Sequence, residues 1–360
     1  MFRQFFCSRE YALHAWLLGV FMLAILTASS LIMFLMNAWK GDFYAELERA
    51  LNDNTTHAEP TEEYYSLAWR WVKLSVPLPI LDALKYLTTS IWAFSWRKAL
   101  TDDYQARFQR RSSDLALEGV SQRLQEDTRG LAAQINRLGG SFFGSLVTLC
   151  VFAPVLYERS PAGYGTPGIL LWFCLVCNGG AFLISMVIGR PLVSLQYNIE
   201  KQEAAYRKEL VFAEDQKVAA PGALVTWQAL FRAVEEAYYR LFAYQSVFFL
   251  WISSFDRFMI SVPMFLLAPS IFRRELGLGD FMQAYDAYVQ VHASVSAVAH
   301  AWPDINDVRC IARRLLELEE RLDGFNRGPD EKAPLVSASD LEAGGKAADW
   351  WSGVGGRSRG

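Results

Sequence analysis

Between Phe281 and Trp302 an otherwise apolar segment carries Asp286, Gln290, His292 and His300. A helix facing only lipid would lose several kcal/mol for such groups, so this segment is expected to border a wet cavity or a partner helix. Asp286 and Gln290, four residues apart, share one face of a helix there, and His292 and His300 lie elsewhere around it. Asp286 is thus a candidate for proton coupling, and Gln290 and His292 are candidates for contact with a substrate. As a metal site the set is poor, because two histidines eight residues apart with no convincing third ligand rarely hold zinc; neither metal nor cofactor is expected. A second segment, Ser66–Trp96, is apolar yet contains Arg70, Lys73, Asp82 and Lys85 together with Pro77 and Pro79, and it is expected to face a polar interior in the same way. Cys174 and Cys177 have the spacing of a redox pair, but they sit inside an apolar run, where packing is the better reading.

The elements that hold these groups follow from the distribution of charge. No Asp, Glu, Lys or Arg occurs between Glu10 and Lys40. The stretch from Ala15 to Met36 is long enough to cross a hydrocarbon layer of about 30 Å at about 1.5 Å per residue. It outlasts the apolar core of a signal peptide, and no small-residue cleavage site leads from it into a polar domain. Leu138–Tyr157 and Ser160–Gly189 are again charge-free; only Glu158, Arg159 and the turn-rich run to Gly168 separate them, which predicts a transmembrane hairpin. A fourth span is expected in Leu241–Phe272, with Asp256 and Arg257 near one interface. With Ser66–Trp96 and Phe281–Trp302 the total is six.

Segments 97–137 and 190–240 concentrate Lys and Arg, while 41–64, 158–167 and 273–280 are poor in them. The positive-inside rule then places the two basic segments, and both termini, in the cytoplasm. Both basic segments are rich in helix formers and read as long helices running out of the membrane. Trp69, Trp71, Trp92 and Trp96, near span ends, read as interfacial anchors.

Whole-chain composition agrees with this class. The 360 residues are 52% hydrophobic and 14% aromatic, and 20% are charged; the mean hydropathy is +0.11. Such a chain is neither disordered nor fibrous. Thirty-five Lys and Arg against 38 Asp and Glu leave a net charge of -3, so no basic field draws nucleic acid. The five cysteines are scattered, an odd number without a disulfide pattern.

The expected fold is therefore all-α: six transmembrane helices with long cytoplasmic helical extensions, in the order two spans, excursion, two spans, excursion, two spans. This is the layout of an ABC-exporter membrane domain. Residues 1–322 form that domain, ending in a charged helix from Arg309 to Leu322, and 323–360, rich in Gly, Ser, Asp and Lys, read as a disordered tail. No Gly-x-x-x-x-Gly-Lys-Ser/Thr run occurs, so these residues are not expected to hydrolyse ATP. No other enzyme signature is present.

Particular runs resemble the SbmA/BacA peptide transporters of Gram-negative inner membranes: Phe94-Ser-Trp-Arg-Lys-Ala-Leu-Thr-Asp-Asp-Tyr104, Arg123-Leu-Gln-Glu-Asp-Thr-Arg129, and Gln202-Glu-Ala-Ala-Tyr-Arg-Lys-Glu-Leu-Val-Phe-Ala-Glu-Asp215. Asn37-Ala-Trp-Lys-Gly-Asp-Phe-Tyr44 is similar to that family's segment at the outer end of the first span. The similarity covers roughly residues 15–322. It implies a homodimer with an ABC-exporter-like fold and no nucleotide-binding domain, importing peptides and peptide-like antibiotics with the proton gradient.

The resemblance also implies proton-coupling roles for glutamates along the cavity, which fall on Glu126, Glu203, Glu209 and Glu214, and it puts Tyr44 near the outer mouth. Such a carboxylate must hold its proton in a dry state and release it in a wet one. The plain alternative for Glu126 and Glu203 is an ordinary ion pair or solvated helix face, since Glu203 and Arg207 stand four residues apart. The family has a further glutamate where this chain has Asn136, an amide that cannot titrate; Asp286, His292 and His300 are the candidates to replace it. The family also has an N-terminal hydrophobic region that this chain, starting close to the next helix, is expected to lack. Two other functions compete: a half-transporter that borrows a separate ATPase, and a paralogue that no longer transports.

Overall fold

A computed structural model describes residues 2–52, 62–109, 123–160, 168–215 and 223–324. The described residues form helices α1 (Phe2–Phe6), α2 (Ala12–Asn52), α3 (Glu62–Ser75), α4 (Pro77–Gln109), α5 (Thr128–Glu158), α6 (Ile169–Asp215), α7 (Ala223–Phe272), α8 (Leu278–His300) and α9 (Trp302–Gly324), with a π-helical turn, Arg123–Asp127, leading into α5; no strand occurs among them. The tail expected from 323 onward lies outside the described residues apart from its first two, which end α9.

Among the described residues four helices are long and apolar enough to cross a membrane: Ala12–Asn52, Leu124–Glu158, Ile169–Glu214 and Val225–Phe272. Their apolar side chains point outward in large number; Leu13, Trp16 and Val20 on α2, Leu183 and Val187 on α6, and Leu250 and Phe265 on α7 are all more than half exposed. In water such a surface would aggregate, and in lipid it is the ordinary solvent-facing side. The chain is thus a multi-pass membrane protein. The other two expected spans are helical but differ from a simple span. Ser66–Trp96 divides at Val76, because Pro77 has no N–H to continue α3 and instead opens α4. α8, 23 residues long, reaches about 35 Å but is too polar to count by apolarity.

α6 and α7, 47 and 50 residues long, extend for about 70–75 Å and overrun any hydrocarbon layer, as the helical reading of 190–240 requires. Asp256 and Arg257 do not interrupt α7. The hairpin between α5 and α6 closes at Gly168, whose φ of 71° belongs to the left-handed region and whose Cβ position would fall 2.2 Å from the Tyr157 ring.

α8 is the axis of the bundle, packed on α2, α5, α6 and α7. Its buried residues include Gly279, Ala284, Ala287, Ser294 and Ser296, small side chains that let neighbouring backbones approach. One apolar core, around Phe152, Leu156, Leu170, Met259, Leu267 and Tyr288, joins α5–α8. A second, where α1, α4, α5 and α9 meet, contains Phe5, Trp92, Trp96, Tyr104, Leu131 and Leu315. Phe5 stacks on Trp96 with ring centroids 5.4 Å apart, so Trp92 and Trp96 are buried core residues and not interfacial anchors; Trp69 and Trp71 are exposed as an anchor requires.

Candidate functional site

Ion pairs and capping bonds lock the N-terminal end of α8. Lys40 of α2 pairs with Asp286, whose other carboxylate oxygen accepts a hydrogen bond from Asn37 at 3.2 Å. Asn37 also donates to the Gln283 carbonyl at 2.9 Å. Glu48 of α2 accepts the backbone N–H of Leu278 at 2.8 Å, satisfying a free donor at the start of α8. Arg159, at the α5–α6 turn, pairs with Asp280. Asp286 thus ties α2 to α8.

Toward the other end of α8 a cavity of about 490 Å³ opens between α5, α7, α8 and the start of α9, with Arg137, Ser141, Asp256, His292, His300 and Asp304 on its walls. Asp256 lies 16 residues before Phe272 and His292 lies 14 after Leu278, which puts both about 21–24 Å from the α7–α8 turn. The site is therefore in the half of α8 farther from that turn. Asp256 reaches both histidines: its Oδ1 is 3.3 Å from His292 Nε2 and its Oδ2 is 2.7 Å from His300 Nε2. Behind His292, Asn178 of α6 places its Oδ1 3.1 Å from His292 Nδ1, and Asn178 Nδ2 donates to the Cys174 carbonyl at 2.8 Å. Arg137 and Asp304, 3.7 Å apart, flank the mouth.

Below the mouth, α9 straps α4, α5 and α6 together. Arg314 donates from Nε to Asp127 Oδ1 at 3.0 Å and approaches the same oxygen with Nη2 at 2.9 Å; its Nη1 stands 3.8 Å from Glu200 of α6. Gln134 donates to Asp307 at 3.0 Å. Burial, with Asp304 nearby, raises the Asp307 carboxyl above the ordinary aspartate range, and Arg137 opposes this. Tyr104 donates to Glu319 at 3.0 Å, and burial together with that carboxylate pushes its phenol up.

The nine candidates from the sequence are spread over this frame. His292 lines the cavity and is buried. Gln290 is half-buried two residues earlier on α8, and Asp286 is engaged by Lys40. Asn136 donates to Ser90 at 3.5 Å across the α4–α5 contact. Tyr44 lies half-buried on α2 beside Phe43. Glu203, Glu209 and Glu214 follow one another along the extension of α6; Glu203 and Glu214 are exposed, and Glu203 accepts a bond from Tyr238 at 3.3 Å. Glu126 is exposed on the π-helical turn, and it is the adjacent Asp127 of the Gln-Glu-Asp-Thr run that turns inward.

The sequence reading missed the central group, Asp256, treating it as an interfacial interruption. The signal was present: a lone acid inside an apolar span is a functional-site candidate by default. Among the described residues no group of three or more His, Cys, Asp or Glu is arranged to hold a metal ion.

The SbmA/BacA-like family profile matches residues 8–323. The chain is also similar to the inner membrane ABC transporter ATP-binding protein YddA of Escherichia coli (strain K12), at 23% identity over 84% of this chain and 57% of that protein. An uncharacterized ABC transporter ATP-binding protein of Synechocystis is 22% identical over 76% of this chain and 42% of its own. ABC transporter D family member 2, chloroplastic, of Arabidopsis thaliana is 23% identical over 67% and 35%. The chain therefore spans little more than half, or less, of these curated relatives.

Proposed function

Because the chain belongs to the SbmA/BacA-like family and is a membrane transporter with the helices of an ABC-exporter-like membrane fold, we propose that it imports peptides and peptide-like antibiotics across the bacterial inner membrane, driven by the proton gradient. On this reading two copies work as a homodimer by alternating access. Each crosses the membrane six times, with α4 and α8 as the polar spans and both termini in the cytoplasm. No chemical step is catalysed.

The observation that carries the proposal is the cavity at the inner end of α8, whose walls combine Asp256, His292 and His300 with Arg137 and Asp304. Ionisable groups at that depth stay only where water or a passing solute meets them. A homodimer is supported by α5, in which no residue between Gln134 and Phe152 is buried within the chain. Phe142, Phe143 and Leu146 are left there for lipid or a second copy.

A second reading has its own support. The names of YddA and of the Synechocystis relative describe ATP-binding proteins, so a separate ATPase working on this membrane domain is the competing source of energy. Uptake of a fluorescent proline-rich peptide into proteoliposomes separates the two. Collapse of the pH gradient is expected to stop uptake, and omission of ATP to leave it unchanged. The opposite pattern overturns the proton-driven reading, and co-purification of a nucleotide-binding subunit would then identify the partner.

A further inference from the structure

We propose that Asp256, His292 and His300 form a dissociable proton-binding site between α7 and α8, in which Asn178 dictates that the proton is taken up at the His292 Nε2–Asp256 Oδ1 contact. The site deepens the proton-driven reading above by naming the group that couples, and it rests on that reading for its use in transport.

The assignment starts at a backbone carbonyl. The Cys174 oxygen can only accept, so the Asn178 atom 2.8 Å from it is the amide nitrogen, and the Asn178 oxygen faces His292. That oxygen also only accepts, so His292 Nδ1, 3.1 Å away, carries a hydrogen. If the ring is neutral, Nε2 then presents a lone pair to Asp256 Oδ1 at 3.3 Å, and an ionised carboxylate presents another. Asp256 Oδ1 is buried and makes no hydrogen bond among the described residues. One proton, on Nε2 or on Oδ1, turns this repulsive contact into an attractive one. Oδ2 is already occupied as acceptor for His300 Nε2 at 2.7 Å.

Accessibility grades the three groups into a path. The side chains of His300, Asp256 and His292 are 46%, 23% and 4% exposed. A proton arriving from cavity water meets His300 and Asp256 first and ends at His292; on release it returns to the same water.

The other charged and titratable groups on the packed elements are few. Arg137 of α5 and Asp304 of α9 face each other across the mouth, Cys174 and Cys177 lie behind on α6, Arg257 of α7 is exposed, and Lys40 of α2 is held by Asp286. Among the described residues no Lys or Arg pairs with Asp256, so its charge is balanced only by the histidines. Loss of the proton sets Asp256 against His292 across the α7–α8 contact and favours their separation, which gives one wall of the cavity two states. The glutamates on the α6 extension have no comparable dry position in this chain.

The chain has four histidines, His14, His57, His292 and His300, so 15N-histidine labelling of the full chain in phosphatidylethanolamine–phosphatidylglycerol vesicles gives few resonances. His292→Gln and His300→Gln assign the two that matter. His292 is expected to keep its Nδ1 hydrogen at every pH. Its Nε2 should take up a proton at a midpoint that falls by about 1–3 pH units in Asp256→Asn, the effect of removing a carboxylate within a few ångströms. A His292 ring bare at Nδ1, or a midpoint unmoved by Asp256→Asn, overturns the site; the first readout uses the unaltered chain and does not depend on a variant folding. In proteoliposomes, Asp256→Asn is expected to lose uptake driven by a pH gradient while still binding the proline-rich peptide, and uptake equal to that of the unaltered chain overturns the coupling role. If the unaltered chain takes up peptide without a gradient, the proton-driven reading fails, and the resonance data still decide whether the proton site exists.

Discussion

Replacing Gly279 with alanine puts the packing of the central helix to a quantitative test. An added Cβ would lie 2.3 Å from the Gly41 carbonyl oxygen, 3.0 Å from the Ala45 Cβ and 3.1 Å from the Ala45 nitrogen. Two of these three atoms belong to the α2 backbone, so no side chain can swing aside. A carbon and a carbonyl oxygen come no closer than about 3.3 Å without strain, so α2 and α8 must part by about 1 Å. Overpacking of this kind costs about 1–3 kcal/mol. Separation also stretches the Glu48 bond to the Leu278 N–H and the Lys40–Asp286 pair, which join the same two helices. At about 2–4 °C per kcal/mol the midpoint of thermal unfolding in detergent, followed by circular dichroism, should fall by several degrees. Gly180→Ala is the control, because nothing lies within 4 Å of its Cβ position and alanine favours helix by about 1 kcal/mol. An unchanged midpoint for Gly279→Ala, or an equal fall for both variants, would refute the close α2–α8 approach.

Two further outcomes concern the strap formed by α9. Arg314→Ala leaves the buried Asp127 carboxylate without its guanidinium and should cost about 1–3 kcal/mol, seen as a lower unfolding midpoint; Arg314→Lys should recover only part, since a point charge cannot reproduce two donors on one oxygen. The Asp307 carboxyl is raised above its ordinary value of 3.8, so the folded chain binds more protons than the unfolded one above that pH, and this group's contribution to stability falls as pH rises. Asp307→Asn should therefore gain midpoint relative to the unaltered chain from acid to neutral pH; a difference independent of pH would count against the raised carboxyl.

How far the sequence reaches is clearest residue by residue. The charge-free run from Tyr11 to Trp39 and the pair Leu138–Tyr157 and Ser160–Gly189 announce membrane helices by themselves, because hydration of charge is a local property that needs no tertiary partner. The continuation of α6 through Gln202–Asp215 is likewise written in local helix propensity. The Gln-Glu-Asp-Thr run and the segment 202–215 suggest the family by local similarity alone. Which acid of that run turns inward was not legible: Asp127 and Glu126 are neighbours on the π-helical turn that point different ways, and only the position of Arg314, 187 residues on, chooses between them. In the same way Asp256 and His292 stand out singly, but nothing in the sequence pairs them across the 36 positions that separate them. They become one site only when α7 and α8 pack with small residues between them and Asn178 arrives from α6, since a shared proton depends on distances of a few ångströms that sequence spacing does not encode.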